Sequence, residues 1–213
     1  MQLVERIASR LGFERRVASS PSWDALQPLG LGAAVNERTA ENLSTVAACV
    51  GAQASALASA AVLVYQRTAG GRVEVPEHPI AQLLRNGPNP YQTWPDLLEA
   101  WFSCTLLTGN GLLEIERDGA AITALRFVPW RWVSPMLAPS GRLIYDVTEQ
   151  TGLYGQTGDV RRLLAGDVVH LKDRSDVGFL GVSRLSRSAA PVAHALALNE
   201  RAQNVVAHGA ARS

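Results

Sequence analysis

A chain of 213 residues is long enough to bury a sizeable core, and a hydrophobic fraction of 47% excludes general disorder. Its 20 basic and 19 acidic residues leave a formal charge of +1, which excludes a grossly basic nucleic-acid binder. The first elements then come in order. Leu3, Ile7 and Leu11 stand four apart and predict a short amphipathic helix ending at Gly12. Residues 18–32 intersperse Ser, Pro and Gly and read as an irregular arm, with Trp23, Leu26 and Leu29 available to dock on a neighbour. Met1 to Arg6 lacks the apolar stretch of a signal peptide. From 41 to about 59 a helix is expected, with Leu43, Val46, Val50, Ala54 and Leu57 on one stripe. The tract 46–65 is too rich in Ala, Ser, Gly and Gln to span a bilayer. A strand over 61–67, a turn at Ala69-Gly70-Gly71 and a return over 72–75 make a hairpin.

The stretch 78–111 is punctuated more tightly. His78-Pro79 opens a short apolar helix, because Pro at the first helical position gives up an N–H that has no partner there. Pro88-Asn89-Pro90 then forbids helix, since each proline lacks a donor and extends its predecessor. Thr93 caps the next helix and Asp96 completes a capping box. That helix carries Leu97, Leu98, Trp101, Phe102, Thr105 and Leu106 and stops at Gly109-Asn110-Gly111. Antiparallel hairpins follow: 112–117 with 122–128 around Asp118-Gly119, and 130–137 with 143–147 around Ser140-Gly141. A last strand closes the segment 160–171. Residues 182–208 read as a long helical segment with Leu185, Ala189, Val192, Leu196, Asn199, Gln203 and Val206 on one face. Pro191 interrupts it: either the helix kinks there or a second one begins. The pattern is α+β, helices followed by antiparallel hairpins and a C-terminal helix, without the βαβ alternation of a nucleotide-binding parallel sheet.

No catalytic constellation emerges from the motifs. P-loop, HExxH, GxSxG and paired CxxC patterns are all missing. Gly178-x-x-Gly181 lacks the setting of a phosphate cradle. The four histidines, His78, His170, His194 and His208, are dispersed; His78 suits capping and His170 a half-buried strand position. Cys49 and Cys104 read as small buried hydrophobes in a reducing compartment. Glu114 and Glu116 share one strand face, which reads as solvated, although paired carboxylates also serve acid–base work. Trp101 reads as core. Trp130 and Trp132 share a strand face opposite Arg131, where an exposed pair suits a subunit contact. From Arg161 onward eight basic residues face four acidic ones, which reads as a solvated face or an electropositive end.

The order of these parts resembles the tailed-phage portal protein family, in its lambdoid siphophage-type branch. The matching residues are His78-Pro79, Pro88-Asn89-Pro90, Thr93 and Gly109-Asn110 before the strand 112–117. Asp167-Val168-Val169-His170 is similar to the family's Asp-hydrophobic-hydrophobic-His strand. Gly178-Phe179-Leu180-Gly181-Val182-Ser183-Arg184-Leu185 is similar to its Gly-x-x-Gly-x-Ser-Pro-Leu segment, and 204–210 to its Asn-Gly-Ala close, with Asn204 and Gly209 separated here where the family has them adjacent. The resemblance covers roughly 41–210. It implies an N-terminal arm (1–40), a wing-like α+β domain (41–181) and the start of a stem helix (182–213), in all the N-terminal half of a portal.

The implied function is a subunit of the head–tail connector ring, usually dodecameric, at the capsid vertex, through which phage DNA is packaged and ejected. Implied partners are further copies of the chain, the major capsid protein, the terminase large subunit and a head-completion adaptor. Double-stranded DNA passes through the channel without sequence-specific binding. Implied locations are the virion and, during assembly, the bacterial host cytoplasm. No enzyme activity, catalytic residue, cofactor, metal or membrane partner is expected. Two other readings stay open: an α+β hydrolase or transferase whose site draws on His170, Asp167 and Ser183, and another virion adaptor ring subunit.

Overall fold

The computed structural model describes residues 35–152 and 158–208, so the expected helix and docking residues of the first thirty-four positions lie outside the described residues. Asn36 caps the first helix, α1 (Glu37–Ala40), in a reciprocal box with Thr39. Helix α2 (Ser44–Ala58) follows and lies along a later helix of the same length. Its buried stripe runs through Ala54 to Ala58 and leaves Leu57 48% exposed, one position away from the expected face. The hairpin β1 (Tyr65–Thr68) and β2 (Gly71–Glu74) turns where Ala69 and the glycines predict, although 61–64 is irregular rather than strand.

Helix α3 (Pro79–Asn86) begins as its sequence dictates: the His78 side chain caps it by accepting from the Ile80 N–H at 3.2 Å. Helix α4 (Trp94–Thr108) starts with the Thr93–Asp96 box and ends at Gly109 in the left-handed region, φ 86°. It buries Leu97, Leu98, Thr105 and Leu107, so Leu107 takes the place expected of Leu106.

Two three-stranded antiparallel sheets follow. The first has the order β4–β3–β8, from β3 (Asn110–Asp118), β4 (Ala121–Val128) and β8 (Val168–Lys172). The second has the order β5–β6–β7, from β5 (Val133–Leu137), β6 (Leu143–Thr148) and β7 (Val160–Leu164). The single strand expected near 160–171 is therefore two strands in different sheets, divided by a turn in which the Asp167 N–H donates to the Leu164 carbonyl. Register places Leu112, Val128 and Val168 on the face toward Trp132, Val133, Tyr145, Val147 and Leu163, and these residues form the main core between the sheets. The opposite face of β3 packs on α4, so Leu112, Leu113 and Glu114 are all buried in succession.

Trp130 to Trp132 forms a 3-10 turn, not strand, because the Trp132 N–H closes back on the Pro129 carbonyl at 3.0 Å. The turn sends Trp132 into the core at 5% exposure and packs Trp130 beside it, so the two do not form an exposed pair. The described residues finish with α5 (Arg184–Arg187), capped by Ser183, and α6 (Ala189–His208). Pro191 sits in the first turn of α6, where a missing N–H costs no helical bond; it begins a second helix and kinks nothing. Ala40, Leu107 and Leu185, with Val46, Val50 and Val192 against them, form a second small core beneath α6. The fold is α+β.

Candidate functional site

The motifs that stand apart in sequence meet at one place, the turn between α4 and β3. Gly109 holds a positive φ, and a Cβ on it would lie 2.6 Å from the Ser183 nitrogen. A Cβ on Gly181 would collide with the Gly109 carbonyl oxygen, so both positions must be glycine for the two backbones to touch. Gly111 is confined likewise, with Trp101 Cδ1 2.7 Å from where its Cβ would stand.

Asn110, 3% exposed, knits this contact. Its Oδ1 accepts the Gly181 N–H at 2.8 Å and its Nδ2 donates to the Gly181 carbonyl at 3.0 Å. The same Oδ1 lies 3.0 Å from His170 Nε2. An amide oxygen only accepts, so Nε2 carries the proton and Nδ1 is bare. Nδ1 then accepts from the Tyr145 hydroxyl at 3.0 Å. Trp130 stacks on the imidazole with ring centres 5.2 Å apart. Burial, with Lys172 nearby, pushes the His170 pKa down to about 4, and burial raises that of Tyr145. The ring is therefore a neutral strut between the two sheets.

Ser183 completes the junction. Its hydroxyl donates to the Leu107 carbonyl at 2.5 Å and accepts from Leu185 N–H at 3.0 Å, capping α5 while tying it to α4. His170, Asp167 and Ser183 thus do not make a catalytic set. The serine proton goes to a backbone carbonyl, the histidine is engaged at both nitrogens, and the Asp167 carboxylate accepts from the Leu164 N–H in its own turn. Gly178 and Gly181 form no phosphate cradle either, since their N–H groups donate to Ser175 Oγ and Asn110.

Other expectations shift with the packing. Glu114 is buried, not solvated: Arg161 of the second sheet reaches it at 2.7 Å, and Arg126 across the first sheet also pairs with it. Glu116 stays more open, at 44% side-chain exposure. Cys49 is exposed where a buried thiol was expected. Cys104 is half-buried; its thiol reaches the Asn110 carbonyl at 3.5 Å, and burial raises its pKa. Half of the late basic residues are answered by carboxylates, Arg161 by Glu114, Arg162 by Asp146, Arg184 by Asp173 and Arg187 by Asp176. His194 is exposed on α6. Among the described residues no group of three or more His, Cys, Asp or Glu is placed to hold a metal, and no helix is long and apolar enough to cross a membrane. A shallow depression of about 320 Å³ between Arg142 and Asp167 is lined mostly by apolar residues, among them Ala138, Leu143, Ile144 and Leu164.

Sequence reasoning singled out His170, Gly181 and Ser183 but missed that Asn110 binds the first two, and it missed Tyr145 altogether. An Asn flanked by two glycines was the available signal: small neighbours let a side-chain amide reach a distant backbone.

A model of the family described as phage portal protein matches residues 44–213. Solved structures show the same fold. Chains in the neck of an empty gene transfer agent (GTA) particle, computed with C6 symmetry, superpose with a TM-score of 0.68 at 22% identity, over 99% of this chain and 53% of that one. The virion of a native GTA particle gives 0.66 at 20%, with 99% and 52% covered. The neck of a native GTA particle, computed with C12 symmetry, gives 0.64 at 21%, again with 99% and 52% covered. The chain thus spans about half the length of these structures. No curated protein matches the sequence.

Proposed function

The chain belongs to the phage portal protein family, and from that premise we propose that it is a subunit of the head–tail connector ring at the capsid vertex of a phage-like particle. The observation that carries this reading is the family match over 44–213 together with a fold shared with GTA neck chains over 99% of its length. In this role the chain is a structural subunit that guides double-stranded DNA without reading its sequence. Its place is the virion, after assembly in the host cytoplasm, and its partners are further copies, the major capsid protein, the terminase large subunit and a head-completion adaptor.

The junction supports a mechanical reading. A stem helix that transmits load to the wing needs a rigid root, and Asn110, Gly181 and Ser183 fasten the segment leading into α5 and α6 onto α4 and β3. Near-neutral charge, with Arg161, Arg162, Arg184 and Arg187 paired within the chain, suits a surface along which DNA slides. Sedimentation velocity of the purified chain over a wide concentration range tests the reading. Concentration-dependent self-association is expected; a single monomeric species throughout overturns it.

A further inference from the structure

Nothing in the junction uses the β1–β2 hairpin, and its surface is unusual. All eight residues of its two strands are exposed. Tyr65 is 51% and Val73 57% exposed, and Val62 and Leu63 at its base are each 54% exposed. The register sets Arg67 directly across from Arg72 and Tyr65 across from Glu74, so all four project from one face. The other face carries Gln66 across from Val73. A two-stranded ribbon alone is marginally stable in water, and like charges directly opposite weaken it further. Apolar groups on both faces and an opposed arginine pair become favourable when the ribbon is covered by something that brings carboxylates.

We propose that the β1–β2 hairpin is an arm that each copy of this chain lays into a different, acidic surface of the next copy around the ring. The inference rests on the ring reading above. Glu74 beside the arginines argues against a nucleic-acid backbone, which would meet it as a like charge; a protein surface of mixed character accommodates both signs. The arginine pair also opposes a two-fold contact of hairpin with hairpin through that face, because each pair would face its own copy. A heterologous contact remains, in which one patch meets a different one, and that is the contact that generates a closed ring. The similar particle necks, computed with six- and twelve-fold symmetry, are assemblies of that kind.

Photo-cross-linking of the full chain with benzoylphenylalanine in place of Tyr65 tests the arm. Chain-to-chain adducts are expected, mapping by mass spectrometry to a partner segment outside 60–76. Arg67→Glu with Arg72→Glu should cut their yield roughly tenfold by charge repulsion while leaving the melting temperature unchanged, since the exposed hairpin supports no core. Hairpin-to-hairpin adducts, or capture of added duplex DNA in place of protein, overturn the proposal. Self-association in sedimentation without Tyr65 adducts removes the arm and leaves the ring reading intact. No self-association at all removes both.

Discussion

At the scale of residues, the side chains that matter most here act through bonds to distant backbone. Asn89 sits between two prolines, and from sequence its role is a local one, setting the angle between α3 and α4. In the fold it does more: it accepts from the Tyr91 N–H, donates to Gln92 at 3.0 Å and donates to the Leu125 carbonyl of β4 at 3.0 Å. Asn89→Ala should therefore cost about 2 kcal/mol, above the single-bond value of about 1, measured by urea unfolding. A stability unchanged by the substitution would count against this structural role. His170 gives a second prediction. The imidazole takes up a proton near pH 6.5 in the unfolded chain but only near 4 in the fold, so the unfolded state binds more protons between those values. Stability that is fully present above pH 6.5 should be lost as pH falls toward 4, by about 1–2 kcal/mol once partial solvent contact is allowed for. His170→Gln should flatten that part of the stability profile, and an undiminished slope in the variant would assign the effect elsewhere. Gly181→Ala should be the most damaging small change, because its methyl collides with the Gly109 carbonyl and separates the segment leading into α5 from β3.

At the scale of elements, what the sequence made legible was the punctuation. The His-Pro start of α3, the Thr93–Asp96 box and the glycine turns at 119 and 141 all stand where local chemistry put them. These features depend on backbone conformation and neighbours only a few positions away. Sequence failed where a tertiary partner decides. The helix α2, which lies along α4, buries Ala54 and Ala58 while Leu57 faces out. Trp130 and Trp132 leave strand geometry because Pro129 starts a tight turn and the core needs an indole. Helix α6 shows the same division. Val192 and Ala193 pack on the body of the protein, yet every residue from 197 to 207 is exposed, Leu198 at 69% and Val206 at 86%. A helical stretch of that length with every residue exposed is marginal in water. Hydrogen exchange of the monomer should thus show fast exchange from 197 to 207 and slow exchange around Ala193. Slow exchange throughout would mean that the helix end is covered in solution.

At the scale of the whole molecule, the portal assignment was legible in the order of the motifs, not in any one of them, because together they describe a junction and singly only a turn or a cap. How the two sheets join was not legible. The chain passes between them at 129–133 and 165–167, and no local signal states that β7 belongs to one sheet and β8 to the other. Glu114 was unreadable for the same reason: alternation fixes its face, but only the second sheet decides whether that face is wet. It meets Arg126 within its own sheet and Arg161 from the other, with Glu114 and Arg126 side chains each 11% exposed. Beside the apolar core, this triad is the ionic tie between the sheets. Removing one member of a buried ion cluster strands the others, at a typical cost of about 3–5 kcal/mol. Arg161 is 30% exposed and can turn toward water, so the loss on Glu114→Gln should lie near the lower end, about 3 kcal/mol in urea unfolding. Combining it with Arg126→Met removes the stranded charge and should recover part of that loss, a non-additivity that identifies a shared network. If Glu114→Gln costs less than about 1 kcal/mol, the value of an exposed pair, the triad is screened by solvent and the sheets are held by their apolar faces.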